Sequence, residues 1–244
     1  MIYLLLTVAT LLTSVVSGLL SMAGGMILMG VFSFFLSVPV AMVLHGIAQA
    51  FSNGSRVWLY RQHIHIGVLA PYTIGALLVL TVFFAFSFVP NIGLIFILIG
   101  SFPFIALVMP SHINLDMRKP QVALSSGIFV TIAQMLAGAS GPVLDVFYVN
   151  STMTRQEILG TKAVTQTLGH LLKLIYYGSL IFTLGNELPG WVYASVVFAA
   201  IGGNWLATIA VARISDDQFK RAGKYIILII GMIYIGKGIQ ELLT

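Results

Sequence analysis

Along the chain, long apolar runs alternate with short polar breaks, and two of the runs carry a polar stripe at helical spacing. Runs at roughly 2 to 22, 66 to 88, 92 to 109, 121 to 138, 189 to 212 and 224 to 243 each approach the ~20 apolar residues that a helix needs to cross hydrocarbon. Segments 38 to 60 and 155 to 183 read as apolar helices interrupted on one face, which predicts about eight long helices in all. Pieces at 25 to 36 and 142 to 150 are too brief to cross alone at ~1.5 Å per residue.

The stripe occurs twice. His45, Gln49, Asn53, Arg56 and Tyr60 are matched by Lys162, Gln166, His170, Lys173 and Tyr177, each 117 positions later, and the same offset places Gly24 on Gly141. At ~100° per residue the first four of each set fall within an arc of about 80°, so each helix has one polar face. The expected fold is all-α: a polytopic membrane bundle of two inverted repeats, residues 1–118 and 119–244, with broken or re-entrant helices.

The breaks also match. Ser17-Gly18 through Ala23-Gly24-Gly25 interrupts the first half, and Ala137-Gly138-Ala139-Ser140-Gly141-Pro142 interrupts the second. Glycine and proline loosen a helix, and non-helical backbone at membrane depth survives where protein or a wet cavity covers it. The following helix then offers free N–H groups to an anion. Each stripe helix has a start signal: Ser37-Val38-Pro39 sets an N-cap before a first-turn proline, and Thr154-Arg155-Gln156-Glu157 has capping-box spacing.

Composition agrees with a bilayer. The chain of 244 residues is 59% hydrophobic and 8% charged, with a mean hydropathy of +1.02, against about 25% charged residues in an ordinary soluble domain. The net charge of +5 does not point to nucleic acid, because the twelve Lys and Arg are scattered among apolar runs. There is no cysteine, hence no disulfide framework and no thiolate metal site. No metal and no cofactor is expected. The first segment lacks a basic lead and a cleavage signal, so it is read as structure and not as a signal peptide.

Charge also orients the chain. If each half crosses an odd number of times, Arg61, Arg118, Lys119, Arg155, Arg213, Lys220, Arg221 and Lys224 fall on one side, leaving Lys237 opposite and Arg56, Lys162 and Lys173 within the stripes. The positive-inside rule makes the crowded side cytoplasmic. Parity leaves open whether residues 2–36 cross twice or form a hairpin that enters and returns from outside.

A buried cation costs about 2.5–3.5 kcal/mol on insertion scales and needs a mate. Asp145 is the carboxylate placed well inside an apolar segment, so Lys162 is expected to face it or an anion. Arg56 either snorkels to the edge near Arg61 or faces the site. His63 and His65 are expected at the interface, His112 in a solvated loop, and Asn204 against either a substrate or a neighbouring helix. A Schiff-base role for Lys237 is disfavoured, since no intramembrane acid is read one turn away in its helix.

These same residues resemble the sulfite exporter TauE/SafE family of small bacterial transporters. Ser17-Gly18 through Ala23-Gly24-Gly25 is similar to the family's glycine-rich signature, and Gly160-Thr161-Lys162-Ala163, continuing to His170, Lys173, Tyr177 and Gly178, is similar to its second-half pattern. The chain departs from the family at Ala23, at His45 and at Ser140-Gly141-Pro142. The resemblance implies movement of a small sulfur-containing or organic anion across the bacterial inner membrane, coupled to protons or to the membrane potential. In that reading Gly24, Gly25, His45, Gln49, Asn53, Gly141, Lys162, Gln166 and His170 bind the anion, and Asp145, His45 and His170 carry the coupling proton. An anion channel and an accessory subunit without transport are the alternatives; an enzyme is not expected, for no H-E-x-x-H, G-x-S-x-G or aspartate cluster is present. The oligomeric state is open.

Overall fold

The computed structural model describes residues 1–20, 23–108, 115–148, 151–184, 188–211 and 216–244. His112 and Arg213 lie outside them. Among the described residues there are ten α-helices and no strand. The first five are α1 (Ile2–Leu20), α2 (Ala23–Phe35), α3 (Val38–Leu59), α4 (Ile66–Phe86) and α5 (Ile92–Val108). They are followed by α6 (Pro120–Ala137), α7 (Gly141–Val146), α8 (Arg155–Leu184), α9 (Gly190–Val211) and α10 (Asp216–Leu243).

Both stripe helices start as their sequences dictate. Ser37 stands at the N-cap of α3 with proline in the first turn. At α8 the Glu157 carboxylate accepts the Thr154 backbone N–H at 2.7 Å and its hydroxyl at 2.9 Å, while the Glu157 N–H reaches back to Thr154 Oγ1 at 3.3 Å. The two short pieces are α2, 13 residues, and α7, six residues. By length and apolarity alone, three described helices qualify as membrane spans: Ile66–Phe86, Pro120–Ala137 and Gly190–Ala207. The expected count of eight is not met on that measure. The stripes lower the hydropathy of α3 and α8, and the described apolar parts of α1 and α5 are shorter. The outward surface is nonetheless apolar, with Leu4, Trp58, Ile66, Phe86, Phe182 and Phe198 exposed, as suits a chain surrounded by lipid.

When α1–α5 are matched in order with α6–α10, the helix pairings repeat. α1 packs on α9 as α4 does on α6, α3 on α9 as α4 on α8, and α5 on α7 as α2 on α10; α3·α8 and α5·α10 map onto themselves. Glycine sets several of these crossings. A Cβ on Gly75 of α4 would strike the Leu124 carbonyl of α6, and one on Gly203 of α9 would meet the Leu11 carbonyl of α1. α5 and α10 meet backbone to backbone where Gly93 faces Gly238 and Gly100 faces Gly231, so these two helices run antiparallel. In a bilayer, where apolar area gives little drive, such close approach is what holds helices together.

Further contacts fix the direction of the chain at each level. Gly160 near the start of α8 sits against Tyr60 at the end of α3, and the His65 backbone N–H donates to Thr161 Oγ1 at 3.0 Å. At the far side, Tyr176 of α8 donates its hydroxyl to the Phe88 carbonyl at 2.7 Å. The start of α1 lies beside the start of α9, with the Tyr3 and Trp191 rings 5.4 Å apart and the Thr7 and Ser195 hydroxyls 2.9 Å apart. The end of α2 returns toward the start of α5, where the Phe34 and Phe96 rings are 4.7 Å apart. Near the end of α10, Lys237 pairs with Glu241 one turn on, at 2.7 Å. An acid therefore does stand one turn away, near the end of the last helix, where both side chains keep partial exposure.

Candidate functional site

The polar faces of α3 and α8 turn toward each other, and residues of both breaks line the space beside them. His45 and His170, on opposite helices, lie with ring centroids 5.4 Å apart. Gln49, 5% exposed, and Gln166 share the wall of one cavity with Ser17, Gly25, Asn53, Arg56, Gly141 and His170. The cavity is about 20 Å³, room for one water or so. Its walls come from α1, α2, α3, the second break, α7 and α8.

Hydrogen bonds tie each break to the stripe across from it. His45 Nε2 contacts the Gly25 carbonyl at 2.8 Å, and Lys173 Nζ approaches His45 Nδ1 at 2.8 Å. The ammonium can only donate, so Nδ1 accepts and the ring proton sits on Nε2, donated to Gly25. Both nitrogens of His45 are thereby committed. The same ammonium donates to the Gly138 carbonyl at 2.8 Å. Gly138 ends α6 at φ 74°, where a Cβ would be strained and would crowd Met29 and Met42. Lys173 is thus fully buried and joins α3 to the second break.

A second relay serves His170. The Gln134 amide donates to His170 Nδ1 at 2.7 Å and to the Gly138 carbonyl at 3.3 Å, and its oxygen accepts the Ser140 hydroxyl at 2.6 Å. His170 therefore carries its proton on Nε2 when neutral, and its ring lines the cavity. Lys162 forms an ion pair with Asp145 of α7, whose second oxygen, Oδ2, is buried and unpartnered.

Seven of the expected site residues line the cavity: Gly25, His45, Gln49, Asn53, Gly141, Gln166 and His170. Two stand off it. Gly24 packs α2 against α1, where a Cβ would collide with the Thr13 carbonyl and Ser17. Lys162 is turned to Asp145. Asn204 pairs with α3, donating to the Ser52 carbonyl at 2.7 Å. Arg56 lines the cavity and does not reach for the edge.

Gln134 was missed in the sequence, and Ser17 was read only as part of the first break, although the two are also 117 positions apart. An offset scan of every polar residue, beyond those within the stripes, finds them.

A model of the family described as sulfite exporter TauE/SafE matches residues 6–234. The chain belongs to the sulfite exporter TauE/SafE family. The match takes in both breaks and both stripes, so the whole cavity lies inside it. No curated protein and no solved structure matches the chain. Membership makes this a membrane transporter and supports a small anionic or sulfur-containing cargo. His63 and His65 lie away from the cavity, in and just after a 3₁₀ turn at Arg61–His63 between α3 and α4.

Proposed function

We propose that this family member is a secondary transporter that moves a small sulfur-containing or organic oxyanion across the bacterial inner membrane by alternating access. The observation that carries the reading is that Gln49 and Gln166, one from each stripe, face a single cavity flanked by both glycine breaks. Three kinds of donor meet there: the backbone at Gly25 and Gly141, the amides of Gln49, Asn53 and Gln166, and the ring N–H of His170. Such a wall complements oxygen acceptors that carry negative charge.

The two halves are inverted copies, and α1–α2 and α6–α7 are re-entrant hairpins entering from opposite sides. The helix pairings that repeat between α1–α5 and α6–α10 support this. So do the level contacts. α1 starts beside the start of α9, α2 returns beside the start of α5, and the intervening break meets His45 and Gln49 midway along α3. This favours the hairpin over two full crossings for residues 2–36. The side holding Arg61 and Arg155 is cytoplasmic.

Coupling falls to Asp145 and His170, because His45 has both nitrogens engaged. A proton taken by the Asp145 carboxylate releases the Lys162 ammonium, which lies one helical turn from Gln166 and is then available to the anion. Rocking one half against the other exposes the cavity to each side in turn. Gln49→Ala and Gln166→Ala are each expected to slow flux of labelled sulfoacetate or sulfite in proteoliposomes by about 10-fold, the loss from one charge-assisted hydrogen bond of ~1.4 kcal/mol or more. Wild-type rates in both variants contradict the assignment.

A further inference from the structure

We propose that Arg56 holds the charge of the transported anion and that Asn204 of α9 aims it, a reading that rests on the transport function above. Arg56 is in the cavity wall, yet among the described residues no carboxylate pairs with it. The acid in the neighbouring ion pair, Asp145, is engaged by Lys162. A guanidinium left uncompensated beside a cavity calls for a mobile anion, and its planar fork suits an oxyanion that presents two oxygens.

The aim comes from across the bundle. Arg56 Nη2 donates to Asn204 Oδ1 at 3.4 Å. Asn204, 8% exposed, is itself fixed by donating its amide to the Ser52 carbonyl at 2.7 Å, to Ser52 Oγ at 3.0 Å and to Ser55 Oγ at 3.1 Å. It can present only its oxygen to Arg56. This leaves most of the guanidinium donors for something else.

A second, independent observation points to a ligand. Gln49 Nε2, on the same face of α3 two turns before Arg56, is buried with no hydrogen-bond partner. A buried donor left unmade is costly. Asn53, between them, spends its own amide on the Gln49 backbone carbonyl at 3.0 Å. One charged donor and one neutral donor therefore line the same small cavity, and the neutral one lacks any acceptor. An oxyanion head, admitted when the cavity widens in the transport cycle, supplies acceptors to both, whether it belongs to inorganic sulfite or to the end of an organic sulfonate.

The test uses the full chain purified in detergent and then reconstituted, with sulfite and sulfoacetate as separate probes. Titration of wild type and of Arg56→Gln is expected to give a Kd at least about 30-fold weaker for the variant, as for loss of one partner of a desolvated charge pair. Arg56→Lys, which keeps the charge without the fork, is expected to recover part of that loss and guards against a folding defect in Arg56→Gln. Asn204→Ala is expected to raise KM for flux several-fold while leaving kcat near wild type, a split that damaged packing alone does not produce. The probe bound more tightly by wild type identifies which source of the oxyanion the site takes. Wild-type affinity in Arg56→Gln overturns this inference while leaving transport intact. Absence of binding and flux for both probes in wild type overturns the transport reading and this one with it.

Discussion

Asp145→Asn is expected to destabilise the protein by about 3 kcal/mol. The estimate is the lower end of what breaking a buried ion pair costs, because Asp145 keeps 17% side-chain exposure whereas Lys162 keeps 9%. The loss arises from the ammonium left behind. Lys162→Met is expected to lose a similar amount, since the stranded carboxylate then has neither of its oxygens paired. The double substitution, which removes both charges, is expected to recover most of the stability. Unfolding of the detergent-solubilised variants measures all three. Losses that simply add argue that the two groups do not interact, and the coupling role given to Asp145 goes with them.

Lys173→Met is expected to leave stability nearly unchanged while lowering flux about 100-fold. Removing the ammonium strands the His45 Nδ1 and Gly138 carbonyl acceptors, at ~1–3 kcal/mol each. It also removes a buried cation that costs ~2.5–3.5 kcal/mol to insert. These terms largely offset one another. Transport is hit because the same ammonium sets the position of the second break relative to α3, and displacements of ~1 Å in a preorganised site act on the scale of 100-fold. Thermal unfolding and proteoliposome flux, measured on one preparation, separate the two effects. A variant that transports normally shows that the tie between His45 and Gly138 is dispensable.

Much of the site was legible because helical periodicity is local and was written twice. The stripe placed Gln49, Asn53, Gln166 and His170 on facing sides of α3 and α8, and the matching breaks drew attention to Gly25 and Gly141. What the pattern could not resolve was which way each long side chain turns. Lys162 and Lys173 are spaced alike on α8, yet one reaches Asp145 and the other reaches His45 and Gly138. That choice is made by α7 and by the end of α6, which pack there only in three dimensions. Arg56 was ambiguous for the same reason, since the partner that keeps it inward, Asn204, is 148 residues away. Gln134 was overlooked because an isolated amide in an apolar run reads as an ordinary helix-packing residue, and only its link to His170 and Ser140 gives it a part in the site. Gly24 shows the converse: repeat position suggested the site, whereas the space a Cβ would take there is filled by α1.

Alternating access requires that one cavity between two opposed hairpins open to each side of the membrane in turn. The chain contains no cysteine, so a single reporter at Ala139→Cys, on the cavity wall, can be read without background. Its reaction with a membrane-impermeant maleimide, applied to one face and then the other of right-side-out and inside-out vesicles, is the direct measurement. Labelling from both faces, with protection by saturating sulfoacetate, is the expected result. Labelling from one face only, with no protection by the anion, contradicts it.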